Sequence, residues 1–106
     1  MTITRIYQGD QITLKLDGWL DTLSSPELGE AVGSIEAAAA ITLDFENVEY
    51  IASSGLRQVI ACHRRAKELG AAFSVINANK ETLSIFQMAG IDKKINIQEN
   101  QVSHSD

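Results

Sequence analysis

The sequence predicts an α/β domain: one mixed sheet of about five strands, helices packed mainly on one face, and the order β-β-α-β-α-β-α-β. Three observations carry this. The chain opens with apolar and polar residues in alternation around Gly9-Asp10, the period-two mark of a hairpin. Runs with apolar residues at helical spacing then alternate with short β-prone runs, which argues for parallel strands joined by right-handed crossovers. Finally, 106 residues, 44% of them hydrophobic, are enough for one core and too few for two.

Ile3, Arg5 and Tyr7 alternate with Thr2, Thr4 and Ile6, and Ile12, Leu14 and Leu16 with Thr13, Lys15 and Asp17; Asp17-Gly18 closes the second strand. Ser24-Ser25-Pro26-Glu27 opens a helix expected over about Ser25 to Ala38. A serine N-cap, an early proline and an acid three residues after the serine suit the free amides at the positive helix end. Leu28, Val32 and Ile35 form its buried stripe, widened by Ala31, Ala38 and Ala39. Ile41 to Phe45, short and apolar at alternate positions, is the next strand.

A second helix from about Ser54 turns Leu56, Val59, Ile60, His63, Ala66 and Leu69 inward and Arg57, Gln58, Arg64, Lys67 and Glu68 largely outward. Gly70 supplies its left-handed stop. Ala72 to Ile76 is a buried strand, Asn79 caps a third helix with Leu83, Phe86 and Ala89 inward and Gly90 as its stop, and Lys94 to Ile97 forms the last strand. The expected organisation is one domain over 1–98 and a polar tail over 99–106, without internal repeats.

Composition removes several functions. At a net charge of -5, with Arg64, Arg65 and Lys67 as the tightest basic group, the chain lacks the cationic stripe that direct nucleic-acid binding requires. One cysteine, Cys62, makes no intramolecular disulfide, and with His63 and His104 it makes no metal-ligand pattern, so no metal is expected and the cytoplasm is the expected setting. Met1 to Gly9 is unlike a signal peptide and no apolar run approaches about 20 residues, so membrane insertion is not expected. Glycine-rich nucleotide motifs are absent, so no cofactor is expected. A nucleophile elbow would need glycine where Ile51 or Ala52 stands, and only His63 and His104 could serve as base; no catalytic residue is assigned and the chain is not read as an enzyme.

The informative stretch runs from Asp44 to Arg57. Ser53-Ser54-Gly55 lies where a strand feeds a helix, with no acid in the first turn. Free amides and the positive helix end there accommodate an added anion. A phosphoryl group would bring a charge of about -1.5 to -2 to an exposed surface and could abolish an interface without disturbing the fold. Simple helix capping by Ser53 or Ser54 is the competing reading, and the two roles can coexist on adjacent serines.

This stretch resembles the signature of STAS domains of the anti-sigma-factor antagonist type, and Gly18 to Leu28 resembles the loop and first helix of the same domain. With the Gly55-Leu56 helix, the Gly70 stop, the Asn77 to Asn79 loop and the Leu83 to Ile91 helix, the resemblance covers nearly the whole chain. It implies a binding module that, unphosphorylated, sequesters an anti-sigma factor of the histidine-kinase-like ATPase type, which is also its serine kinase. A serine phosphatase would reset the module. In that family the acceptor is the first hydroxyl of an Asp-Ser-Ser/Thr-Gly motif at the start of the second helix. By position this implies Ser53 as the phosphorylated residue, Ser54 as its neighbour or cap and Gly55 as the point of close approach. Ala52 stands where the motif has aspartate, which could orient the hydroxyl or help kinase recognition. The implied partner surface is Asp21, Thr22, Ser53, Ser54, Gly55 and Arg57, on a monomer or weak dimer. The rival readings are a STAS scaffold or partner switch whose output is not a sigma factor, and a small-ligand-binding STAS domain.

Other residues have plainer readings. Asp21 and Thr22 suit loop or capping chemistry as well as a partner surface, and Asp44 reads as a turn or hydrogen-bonding residue ending a strand. Trp19 is an interface anchor or, as burial statistics favour, a partly buried core or rim residue. His63 reads as a packed boundary residue and Cys62 as a small hydrophobe.

Overall fold

The alternating residues at the start do form a hairpin. β1 (Thr2–Gln8) pairs antiparallel with β2 (Gln11–Leu20) in unbroken register, from Thr2 opposite Asp17 to Gln8 opposite Gln11, and Gly9 turns the chain at φ 61°. The structure, a computed structural model, describes residues 1–100. After β2 come α1 (Ser25–Gly33), β3 (Ala40–Ile51), α2 (Ser53–Leu69), β4 (Ala72–Ala78), α3 (Lys80–Met88), a 3₁₀ turn (Ile91–Lys93) and β5 (Asn96–Glu99). The sheet order is β1-β2-β3-β4-β5; β2 to β5 run parallel and β1 is antiparallel to its neighbour. The α/β class and element order expected from the sequence are those observed.

One sheet face holds the core. Leu14, Leu16, Leu43, Phe45 and Val75 meet Leu28 and Val32 of α1, Val59, Cys62 and Ala66 of α2 and Phe86 of α3, all buried. Each fully buried large side chain contributes on the order of 1.5–3 kcal/mol. The Phe45 and Phe86 rings, 5.9 Å apart, lock α3 onto β3. Thr13, Lys15, Thr42, Asp44 and Ser74, at the alternate positions, are half-buried on the other face.

Several boundaries differ from the expected ones for local reasons. The first helix stops at Gly33, short of Ala38, because Ser34 turns its hydroxyl back to the Ala31 carbonyl at 2.9 Å and the Ile35 amide takes a tightened bond to Val32. Ala39, read as packing, is exposed and gives its amide to the Asp10 carbonyl instead. β2 continues through Gly18, at φ 118°, to Leu20, and β3 continues past Asp44 to Ile51. Pairing of the two strands is resumed after register shifts at Lys15/Asp17 and Gly18/Trp19, which a period-two reading cannot follow. Asp44 is thus inside a strand, where its Oδ1 accepts from the Glu46 amide and from Asn77 Nδ2, both at 3.0 Å. The second contact holds Asn77, which sits at φ 60°.

β4 likewise runs two residues beyond Ile76, to Ala78. On α2, Cys62 takes the buried position assigned to Ile60, which is 36% exposed. On α3, Thr82 replaces Ala89 as the buried partner of Phe86, while Asn79 caps the helix as expected, its side chain accepting from the Thr82 amide at 2.7 Å. The 3₁₀ turn displaces the final strand from Lys94–Ile97 to Asn96–Glu99, so Glu99, assigned to the tail, belongs to the sheet. Asn100 gives its amide to the Ala78 carbonyl at 2.9 Å, and the rest of the expected tail, 101–106, with His104, lies outside the described residues.

Candidate functional site

Parallel strands deliver their C-terminal ends to one edge of the sheet, and helices begin there. The last residues of β2 and β3, Leu20 and Ile51, are paired, and the Ala52 amide donates to the Leu20 carbonyl at 2.9 Å. The start of α2 is thereby pinned against the end of β2. Gly55 makes this approach possible: a Cβ there would lie 2.6 Å from the Leu20 carbonyl oxygen and 2.8 Å from Ile51 Cγ1. No larger residue fits without moving backbone.

Ala52, extended at ψ 173°, is the N-cap of α2 and offers no side-chain acceptor. Neither serine caps the helix. Among the described residues the Ser53, Ser54 and Gly55 amides have no acceptor, and the first turn holds no acid. Ser53 is exposed on this uncapped positive end. Arg57 is exposed one turn further along, at the i+4 spacing that shares a helix face with Ser53. Ser54 is half-buried, with its Oγ 3.2 Å from Thr22 Oγ1.

The loop from Asp21 to Ser24 is organised by Asp21. Its Oδ1 accepts from the Leu23 and Ser24 amides, each at 3.1 Å, and takes the longer arm, also 3.1 Å, of a bond that the Ser24 hydroxyl shares with the Trp19 carbonyl. The Ser24 backbone bond, helped by the others, holds the Asp21 carboxyl below its usual range. Ser24 was expected to cap α1 with its own oxygen; instead its hydroxyl donates to the Trp19 carbonyl at 2.6 Å and it makes no cap bond. The Glu27 amide goes to the Ser24 backbone carbonyl at 3.0 Å, and the Ser25 amide to the Asp21 carbonyl at 2.8 Å, so backbone oxygens serve the start of α1.

The structure therefore brings Asp21, Thr22, Ser53, Ser54, Gly55 and Arg57 to one end of the domain. Only Thr22 and Ser54 touch through their side chains; Asp21 serves its own loop, and Gly55 serves the packing beneath. Sequence reasoning missed Leu23 and Tyr50 as companions of these residues and favoured a partly buried Trp19 over an interface anchor. Trp19, expected to be partly buried, is 56% exposed, and Tyr50 and Leu23 are 48% and 89% exposed. The period-two alternation was the available signal: Leu14, Leu16 and Leu20 face the core, so Trp19 falls on the opposite face with Lys15 and Asp17.

His63 and Cys62 lie elsewhere. His63 packs its ring 5.7 Å from Phe73, and burial together with nearby Lys67 lowers its pKa. Burial pushes the Cys62 thiol up to about 12, so it is inert, as expected of a small hydrophobe. No grouping of His, Cys, Asp and Glu among the described residues is suited to a metal, and none of their helices is long and apolar enough to cross a membrane.

One five-stranded sheet, parallel but for its antiparallel leading strand, with strands and helices in the order β-β-α-β-α-β-α-β, is the STAS fold. The chain belongs to this family: the family model described as "Mlab, STAS domain" matches residues 4–99. The fold is similar to an anti-sigma factor antagonist from Mycobacterium paratuberculosis, with a TM-score of 0.82 and 21% identity over 92% of this chain and 84% of that one. It is also similar to SpoIIAA in its unphosphorylated form (TM-score 0.69, 17% identity, 88% of this chain and 97% of that one). The Bacillus cell fate determinant SpoIIAA in the phosphorylated form matches as well (0.72, 17%, 91% and 90%). A comparison with curated proteins yields no significant match.

Proposed function

We propose that the chain is an anti-sigma-factor antagonist: a non-enzymatic module that binds an anti-sigma factor of the histidine-kinase-like ATPase type and lets go when that partner phosphorylates Ser53. A serine phosphatase returns it to the binding form. The observation that carries the reading is the exposed Ser53 hydroxyl at the first position of an uncapped, acid-free helix end. Such an end accepts a phosphoryl dianion without refolding, because its amides and dipole favour negative charge. The likeness of the fold to SpoIIAA in both its unphosphorylated and phosphorylated forms supports the same reading.

Release follows from electrostatics at close range. A kinase that transfers a phosphoryl group to Ser53 holds nucleotide phosphates opposite that hydroxyl, so the product places two anions face to face. Like-charge juxtaposition in an interface costs several kcal/mol. Thr22, Ser54 and Arg57, with the loop that Asp21 organises, form the rest of the proposed contact, and Gly55, buried beneath Ser53, sets its approach to the sheet.

Incubation with such a kinase and ATP, followed by intact mass and site mapping, tests the assignment. The expected result is a gain of one phosphate that Ser53→Ala abolishes; a gain unaffected by Ser53→Ala would refute it. Ala52, where the family motif has aspartate, favours a second reading as a STAS scaffold whose output is not a sigma factor. The scaffold reading predicts no phosphate gain.

A further inference from the structure

The end of the domain that carries Ser53 also carries three large apolar side chains facing solvent, Trp19, Tyr50 and Leu23. They adjoin the serine through the backbone: Trp19 precedes Leu20, whose carbonyl holds the Ala52 amide, and Tyr50 lies two residues before Ala52. Trp19 and Leu23 line one open hollow of about 390 Å³ with Met1, Asp21, Ser24 and Glu27.

The tryptophan is already oriented. Its indole Nε1–H donates to Glu49 Oε1 at 3.3 Å, and its ring lies 5.5 Å from that of Tyr50 at a 53° tilt. An aromatic held in place before docking loses little rotamer freedom on burial, the condition under which tryptophan and tyrosine dominate interface energetics. The charged side chains that line the hollow or touch Trp19 are acidic. Asp21, Glu27 and Glu49 flank the cluster, and the ion pairs among the described residues, Lys15–Glu46 and Arg65–Glu68, neutralise none of them.

We propose that Trp19, supported by Tyr50 and Leu23, is the anchor of the partner interface, and that it inserts into an apolar pocket rimmed by lysine or arginine on the anti-sigma factor. This rests on the reading of the chain as an anti-sigma-factor antagonist and adds the recognition chemistry that reading lacks. Two parts of the interface then do different work. The Trp19 cluster and its acidic rim hold the partner, and Ser53, facing the nucleotide phosphates, decides release. Loss of the anchor weakens binding of the unphosphorylated form without creating or removing the phosphorylation site.

The chain has one tryptophan, so incorporation of 5-fluorotryptophan gives a single ¹⁹F resonance that reports on Trp19. Titration with unlabelled histidine-kinase-like anti-sigma factor is expected to shift or broaden that line. Trp19→Ala is expected to weaken binding measured by calorimetry about 30-fold, the equivalent of a hot-spot loss of about 2 kcal/mol. Glu27→Lys, on the exposed rim, is expected to slow association and flatten its salt dependence. Calorimetric binding with an unmoved ¹⁹F line and wild-type affinity for Trp19→Ala overturns the anchor and leaves the antagonist reading standing. Absence of calorimetric binding in both phosphorylation states overturns the antagonist reading, and the anchor falls with it. A ¹⁹F line that moves with the protein's own concentration in the absence of partner assigns the surface to a second copy and also overturns the proposal.

Discussion

The hydroxyls of Thr22 and Ser54 stand 3.2 Å apart and join the loop before α1 to the first turn of α2, across thirty-two residues of sequence. The contact is exposed, so its value lies in registering the loop against Ser53 more than in stability. Thr22→Val and Ser54→Ala should each cost no more than about 1 kcal/mol. In the double variant the losses should fall short of their sum, since one interaction is removed twice. Urea midpoints of the four proteins check this.

Gly55→Ala should be far more costly. Its Cβ would meet the Leu20 carbonyl oxygen at 2.6 Å, a backbone atom that cannot swing aside. A loss of about 1–3 kcal/mol is expected, as for other overpacked sites. Gly33→Ala, at the end of α1 with nothing within 4 Å of the added carbon, is the control and should stabilise by up to about 1 kcal/mol.

Ala52→Asp should raise stability. The N-cap of α2 has the extended geometry that lets a side-chain oxygen reach the free first-turn amides, and alanine leaves them unmet. A gain of about 0.5–2 kcal/mol is expected, visible as a higher thermal midpoint. An unchanged midpoint would mean that these amides are already satisfied.

Asp21 predicts a pH dependence. Its folded-state pKa lies below the ordinary 3.8, chiefly through the Ser24 amide, so the ionised carboxylate is favoured by folding. Its contribution is therefore complete above pH 3.8 and is lost as pH falls through the folded value. Asp21→Asn keeps an acceptor for the same amides but does not titrate. The stability difference between wild type and this variant should be constant at neutral pH and shrink in acid; a difference that grows in acid would reverse the assignment.

Much of this was legible because the signals are local. Alternation around Gly9, helical spacing in Leu28 and Val32, the Asn79 cap and the Gly70 stop each depend on neighbours within a few residues, and each appears in the structure as read. Failures came where a distant partner decided. β2 and β3 continue beyond Asp17 and Phe45 because each offers the other a pairing edge after a register shift. The side-chain cap expected of Ser24 on α1 is missing because the Ser24 hydroxyl is drawn to the Trp19 carbonyl. Trp19 faces solvent because β2 keeps its alternation through Gly18 to the buried Leu20, a continuation that depends on pairing with β3. At the site, the grouping of residues at one end of the domain was implied by the family resemblance, whereas the uncapped state of Ser53, Ser54 and Gly55 required the backbone geometry of Ala52.

The affinity of the unphosphorylated chain and of the same chain carrying phosphoserine at position 53, each measured by calorimetry against a histidine-kinase-like anti-sigma factor, tests the central claim most directly. Like-charge contact worth several kcal/mol predicts that phosphorylation weakens binding by about a hundredfold or more while the thermal midpoint stays near that of the unmodified chain. Equal affinities for the two forms, with both folded, would contradict a switch at Ser53.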